Sequence, residues 1–180
     1  FIYYYINYKI KNQYTNKSSE HSYIKKKIPR IIHQIYITRN PRQPIPSSIL
    51  NNIQQLKKKN PGWKYKLYRE DDIIKFITKY YDLHTLYLYN KINKEYGAAR
   101  ADFFRYLLVY KLGGVYLDIK SNTHIPLDSI IKDNDEFILS NWKVNPTDNS
   151  YLLRNHMHSK YLKYPPGEFQ NWHIISSPKH

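Results

Sequence analysis

The chain has 180 residues, of which 41% are hydrophobic and 16% aromatic, so it suits one compact domain with additional segments rather than two full domains. Because it contains no cysteine, disulfide bonds, thiolate zinc sites and cysteine nucleophiles are excluded. The formal net charge is +15, and residues 1–60 carry 12 basic residues against one acid, whereas residues 61–180 carry 17 against 13. A basic nucleic-acid-binding protein is one alternative, but it would be expected to interleave its charges with aromatic residues.

Residues 1–27 are predicted to form an N-terminal stem or membrane-proximal segment. Residues 1–10 are aromatic and apolar but are interrupted by Asn7 and Lys9, and they are shorter than the roughly 18 residues of a membrane span. They fit either the end of a single-pass, type II membrane anchor or an ordinary chain terminus. At the other end, the chain stops soon after an apolar pair at 174–175, so we expect the domain of residues 28–180 to be truncated at its C-terminus.

The first third of this domain has a strand–helix–strand–helix pattern. Ile28–Ile37 is β-branched and aromatic, which predicts a buried strand. Ser47 is predicted to cap a helix from Ser48 to about Lys59, and the alternation in Trp63–Tyr68 predicts a half-exposed strand. The acids at 70–72 favour the start of a second helix. This order of elements predicts a parallel α/β sheet.

A long helix followed by a strand is the most informative prediction. Gly97–Leu112 is expected to be helical and to end at Gly113, and Val115–Ile119 is expected to be a buried central strand. Asp118 lies near the carboxyl end of that strand, where open α/β sheets bind ligands. Because a buried carboxylate is costly without a partner, Asp118 is a candidate site residue on physical grounds.

Within the long helix, Asp102 and Arg105 are three residues apart and therefore share one face. They form either an internal ion pair that fixes packing, or an acceptor and a planar donor for a polyhydroxylated ligand. Arg100 lies about 200° from Asp102 around the helix and points elsewhere.

Four motifs follow one another in the chain: Ile28–Gln34, Asn60–Trp63, Ala99–Tyr106 and Gly113–Asp118. In this order and spacing they resemble the DXD-containing sugar-binding glycosyltransferases. That family includes fungal initiating α-1,6-mannosyltransferases and mannosyl-inositol-phosphoceramide synthases. The resemblance extends from about Ile28 to Trp142, with a further short match at 172–173.

The resemblance implies a GT-A-type fold, an α/β nucleotide-sugar-binding domain with a mostly parallel central sheet. It implies transfer of a hexose of the mannose, glucose or galactose type, with retention of configuration. The donor would be a nucleotide-diphosphate sugar and the acceptor a hydroxyl of a glycan, glycolipid or protein. It further implies a membrane-associated protein of a Golgi-like secretory compartment, without a nucleic-acid partner.

The resemblance also implies site residues. Asp102 and Arg105 would hydrogen-bond the donor sugar, and Asp118 would contact the ribose and the shell of a bound metal. The residues expected to bind the nucleotide sugar are Ile32, His33, Gln34, Arg100, Asp102, Arg105, Gly114, Tyr116 and Asp118. Those expected to act in catalysis are Asp102, Arg105, Asp118 and Lys120. His33, inside a strand, also fits a core histidine.

The sequence departs from the family at the second acidic position of the DXD motif, which is Lys120. In a strand this residue would return to the face of Asp118, where an ammonium group would repel a divalent ion. Three outcomes follow. Lys120 neutralises the leaving diphosphate without a metal; Mn²⁺ or Mg²⁺ binds through Asp118, the diphosphate and a later side chain such as His173 or His180; or catalysis is lost and a binding protein or scaffold remains.

Overall fold

The computed structural model describes residues 27–40, 43–140 and 170–180. Nearly all of the predicted stem, and Trp142, lie outside these residues. The described residues fall into two units. The larger holds the described residues up to Phe137 together with Trp172–His180. Of the smaller, the structure describes 138–140 and 170–171, where the Ser140 hydroxyl donates to Gln170 Oε1 at 3.0 Å.

Helices and strands alternate through the first part of the chain, and short elements follow. The elements are β1 (Ile31–Ile35), α1 (Ser47–Lys59), β2 (Lys64–Tyr68), α2 (Glu70–Tyr80), α3 (Leu83–Lys91), α4 (Gly97–Leu112), β3 (Gly114–Leu117), α5 (Leu127–Ile130), β4 (Phe137–Ile138) and β5 (His173–Ser176). The described strands form one sheet in the order β2-β1-β3-β5-β4. β1 is parallel to β2 and β3, whereas β5 is antiparallel to β3. The predicted parallel sheet is therefore confirmed for its first three strands and is mixed overall.

Several element boundaries differ from the predictions. β1 is shorter than the predicted Ile28–Ile37, and α1 already includes Ser47. The predicted capping role of Ser47 is wrong, because Pro46 occupies the cap position and no side chain caps the helix. α3 was not predicted; it begins where the Asp82 carboxylate accepts the backbone N–H of Thr85 at 2.7 Å, an ordinary N-cap.

The two faces of the sheet carry different helices. Alternation along the strands places Ile35, Tyr68 and Tyr116 on one face, where they form a buried cluster with residues of α2, α3 and α4. Gln34 and Tyr65 lie on the other face. α1 lies on this face, where the Nζ atom of Lys57 is 5.7 Å from the centroid of the Tyr65 ring. Helices cover both faces, as in other α/β domains with parallel strands.

The chain order places a topological switch point between β1 and β3. After β1, α1 leads to β2 on one side, whereas α2, α3 and α4 lead to β3 on the other side of β1. At such a point the connections leave two neighbouring parallel strands in opposite directions, and ligands bind in the crevice that this opens outside the carboxyl ends of the strands. The carboxyl ends of β1 and β3 meet at this point.

Two glycines allow β3 to start close to β1. Gly113 and Gly114 have φ angles of 64° and 95°, which side-chain-bearing residues rarely adopt. A Cβ on Gly114 would lie 2.7 Å from the Ile31 carbonyl oxygen and 3.1 Å from His33 Nε2. Gly114, predicted to bind the nucleotide sugar, thus lies at the amino end of β3, at the far end of the strand from Asp118.

Candidate functional site

An arginine between two carboxylates forms the centre of the candidate site. Arg105 is 5% exposed, contacts the Asp102 carboxylate one turn earlier in α4, and places Nη2 3.6 Å from Asp118 Oδ1. Its guanidinium carbon lies 4.9 Å from the centroid of the Tyr116 ring. The side chains of Asp102 and Asp118 are 50% and 40% exposed, so both present oxygen atoms to solvent. The structure shows the ion pair, one of the two arrangements that the sequence left open, and it lies beside Asp118.

Hydrogen bonds fix both the backbone and the side chain of Asp118. The Asp118 backbone N–H donates to the Trp172 carbonyl at 2.8 Å, and the Tyr116 hydroxyl donates to Asp118 Oδ1 at 2.6 Å. Burial, together with the charge of Asp118, raises the pKa of the Tyr116 phenol well above its ordinary value. The phenol therefore stays protonated and acts as a donor to the carboxylate.

Lys120 lies in a turn rather than in a strand. β3 ends at Leu117, and the Ser121 N–H donates to the Asp118 carbonyl at 2.8 Å, which closes a β-turn over Asp118–Ser121. The prediction that the strand continues to Ile119 is wrong, and strand alternation therefore does not set the direction of Lys120. The residue is exposed, and the structure shows it in no ion pair with the described residues.

The side chain of Gln34, in β1, hydrogen-bonds to the backbone of the same turn. Its side chain is fully buried; Nε2 donates to the Asp118 carbonyl at 3.0 Å, and Oε1 accepts the Tyr65 hydroxyl at 2.9 Å. Gln34 thus reaches the site through the backbone of Asp118.

His33 and Ile32 are core residues of β1. His33 is fully buried and Ile32 is 1% exposed. The Gly113 carbonyl, which can only accept, lies 3.0 Å from His33 Nε2, so this nitrogen carries the proton and Nδ1 accepts the Tyr68 hydroxyl at 3.2 Å. Both ring nitrogens are engaged within the protein, as the core-histidine interpretation requires.

We expect His33 to make stability depend on pH. Burial, with a smaller contribution from Lys66, lowers its pKa to about 4 from the ordinary 6.5, against the opposing bond to Gly113. Because the unfolded chain takes up the proton first, the stabilisation is complete above pH 6.5 and is lost as the pH falls towards 4. The loss amounts to about 3 kcal/mol. Urea unfolding of His33→Gln should show a correspondingly flatter pH dependence, whereas exposed His84→Gln should match the unmodified protein; equal slopes for all three would contradict this.

Arg100 belongs to a separate buried cluster. It is 1% exposed, contacts the Glu70 carboxylate, donates through Nη1 to the Ile92 carbonyl at 3.0 Å, and lies 4.2 Å from the Tyr89 ring centroid. The Tyr89 hydroxyl also donates to Glu70 at 3.0 Å. This cluster joins α2, α3 and α4, and its direction agrees with the predicted angle between Arg100 and Asp102.

The described residues do not fit a conventional divalent-metal site. Among them, no group of three or more His, Asp or Glu side chains lies close enough to hold an ion. Asp118 Oδ1 already faces Tyr116 and Arg105. His173 pairs with Leu117, so alternation places it on the sheet face opposite Tyr116, and His180 lies 4.0 Å from Glu136 beyond the other end of β5. The described geometry therefore brings neither histidine to the Asp118 carboxylate.

Asn52 of α1 was missed in the sequence analysis. Its Nδ2 donates to the carbonyls of Ile119 and Ser121 at 3.1 and 3.0 Å. The available signal was its position, since a polar residue three after Ile49 and four before Leu56 lies beside the apolar stripe of the helix.

The parallel strands and the arginine–carboxylate group at their carboxyl ends define an α/β domain with a polar site at the ligand-binding edge of its sheet. Residues 46–138, just over half of the chain, match the family described as glycosyltransferase sugar-binding region containing DXD motif. The chain belongs to this family.

Individual relatives are similar over part of their length. An uncharacterized glycosyltransferase of Acanthamoeba polyphaga mimivirus is 38% identical over 92 residues, 51% of this chain and 35% of the relative. The mannosyl phosphorylinositol ceramide synthase SUR1 of Saccharomyces cerevisiae is 32% identical over 104 residues, 58% of this chain and 25% of the relative. Inositol phosphoceramide mannosyltransferase 1 of Schizosaccharomyces pombe is 28% identical over 108 residues, which are 58% of this chain and 32% of the relative. The matched part of the chain thus spans about a third or less of these relatives.

One solved structure supports the fold. The PaToxG glycosyltransferase superimposes with a TM-score of 0.57 at 15% identity, covering 86% of this chain and 57% of that protein. The expected GT-A-type α/β fold is confirmed.

Proposed function

We propose that the protein transfers a hexose from a nucleotide-diphosphate sugar to an acceptor hydroxyl, with retention of configuration. The observation that carries the proposal is Arg105, set between Asp102 and Asp118 at the crevice between β1 and β3. The guanidinium offers planar donors and the exposed carboxylate oxygens offer acceptors, which together suit sugar and ribose hydroxyls. Asp102 and Arg105 would hold the sugar, and Asp118 the ribose.

Lys120 would stabilise the departing diphosphate. As the acceptor oxygen bonds to the anomeric carbon, the bond between that carbon and the phosphate oxygen breaks, negative charge develops on the diphosphate, and the departing phosphate oxygen takes up the proton of the acceptor hydroxyl. A cation placed at that point stabilises the transition state by electrostatics. Lys120 is exposed on the turn that follows Asp118, so its ammonium is free to approach a bound ligand. We therefore assign the diphosphate charge to Lys120.

The names of the relatives support a proposal for the acceptor class and the location. Two of them are named for mannosyl transfer to inositol phosphoceramide or for synthesis of its mannosyl derivative. We take the acceptor to be a glycan, glycolipid or protein hydroxyl, and the protein to be held at a secretory membrane through its N-terminal region. Among the described helices, none combines the length and apolar character of a membrane span.

Donor binding and transfer test this proposal directly. Calorimetric titration with UDP and GDP should show specific binding of one of them, and the matching labelled nucleotide sugar should be consumed in the presence of EDTA. A single-stranded oligonucleotide, titrated at low and high salt, is the control for non-specific attraction to the basic chain. Failure of both diphosphates to bind would contradict the proposal.

A second function is a binding protein without catalysis. Lys120 favours it, because the cation occupies the second acidic position of the motif. In that case a nucleotide sugar would bind but would be neither hydrolysed nor transferred, with or without manganese. Turnover in either condition would reject it.

A further inference from the structure

Side chains from β1 and α1 hold the backbone of the turn that carries Lys120. Asn52 donates to the carbonyls of Ile119 and Ser121, Gln34 donates to that of Asp118 at 3.0 Å, and Lys59 contacts that of Thr123. Four carbonyls within six residues thus accept side-chain donors from neighbouring elements. These contacts fix an irregular segment on a rigid scaffold, which is where binding and catalytic residues are often found.

Asn52 is itself fixed in one orientation. Asn122 Nδ2 donates to Asn52 Oδ1 at 2.9 Å, which leaves Asn52 Nδ2 to face the carbonyls of Ile119 and Ser121. Asn122 Oδ1 in turn accepts the Thr123 N–H at 2.8 Å. The amide of Asn52 therefore bridges both sides of Lys120 and the following loop.

We propose that Asn52 is a positioning residue that holds the Asp118–Ser121 turn and thereby sets Lys120 towards the diphosphate of the donor. This inference rests on the proposed function. Gln34 donates to the Asp118 carbonyl at 3.0 Å and reaches the Ser121 carbonyl only at 3.5 Å, whereas Asn52 donates to both carbonyls that flank Lys120, at 3.1 and 3.0 Å. Loss of Asn52 should free the Lys120 side of the turn more than the Asp118 side.

Because Asn52 holds the carbonyls on either side of Lys120, its loss should weaken binding of ligands that contact Lys120 more than binding of ligands that do not. Asn52→Ala should weaken binding of the preferred nucleoside diphosphate about 10-fold, since a cation that must be ordered on binding contributes less. Binding of the corresponding monophosphate should change little, because it lacks the group that Lys120 meets. Asn51→Ala is the matched control: Asn51 is the preceding residue of α1 and is exposed.

A double-mutant cycle separates positioning from general destabilisation. If Asn52 acts through Lys120, Asn52→Ala should have almost no further effect on diphosphate affinity in a Lys120→Ala background. All titrations are run well below the melting temperature of each variant. Additive losses, or equal losses for diphosphate and monophosphate, would overturn the inference.

Hydrogen exchange tests the inference without a donor. The Ser121 amide, which donates to the Asp118 carbonyl, should exchange about 10-fold faster in Asn52→Ala than in Asn51→Ala. Unchanged exchange of this amide would refute the positioning role, even if donor binding is normal. Faster exchange in a protein that binds neither UDP nor GDP would instead refute the proposed function and its donor-dependent part while confirming that Asn52 holds the turn.

Discussion

Replacing Arg105 by methionine should reduce affinity for the nucleotide sugar by about 100-fold, the loss expected when a charge-assisted bidentate donor is removed. Methionine keeps an unbranched apolar stem, so the change falls mainly on the guanidinium, which lies over the Tyr116 ring. Without it, Asp102 and Asp118 face each other with no cation between them, and the ligand hydroxyls lose their donors. Calorimetric titration with the donor that the unmodified protein prefers measures the loss.

Two further variants define the cause of that loss. Arg105→Lys retains the charge but not the planar fork, so we expect it to recover only part of the affinity. Arg30→Met is the matched control, because Arg30 also pairs with a carboxylate, Asp128, but just before the amino end of β1, far from the crevice. Thermal melting without ligand confirms folding. Full donor affinity in folded Arg105→Met would show that Arg105 does not bind the donor, which would contradict its assignment as the centre of the site.

The sequence predicted the parts of the site that depend on local periodicity. The bounds of α4, its end at Gly113 and the shared face of Asp102 and Arg105 all follow from helical spacing and glycine conformation. The position of Asp118 near the carboxyl end of β3 followed from a short apolar run with one acid. These features need only neighbours a few residues apart.

The remaining features depend on partners distant in the chain. The β-turn at Asp118–Ser121 is held by Gln34 and Asn52, which are 84 and 67 or more residues away from the carbonyls they bind. The residue pattern of a strand cannot reveal that the carbonyls after Leu117 accept hydrogen bonds from side chains of other elements instead of continuing the strand pairing. For the same reason the sequence placed Lys120 on the face of Asp118, whereas long-range hydrogen bonds set it on a turn.

That turn makes Lys120 the residue whose charge decides how the diphosphate is stabilised. Lys120→Asp restores two acids in the pattern of the DXD motif. It removes the cation that we assign to the diphosphate and adds a ligand type that Mn²⁺ and Mg²⁺ accept. We expect donor turnover of the unmodified protein to continue in EDTA, and that of Lys120→Asp to fall about 100-fold there and recover in part with manganese. Initial rates in EDTA and with added manganese measure the effect.

Lys120→Ala completes the comparison, because it removes the cation without supplying an acid. It should lose turnover to a similar extent in EDTA, and manganese should restore much less than in Lys120→Asp. Lys132→Ala, at an exposed lysine whose ammonium bonds to the Ser129 carbonyl, controls for a change in net charge. If EDTA abolished turnover of the unmodified protein, the diphosphate would depend on a metal, and Lys120 would have to face away from it. The charge at position 120 therefore distinguishes a lysine that replaces the metal from one that merely occupies its motif.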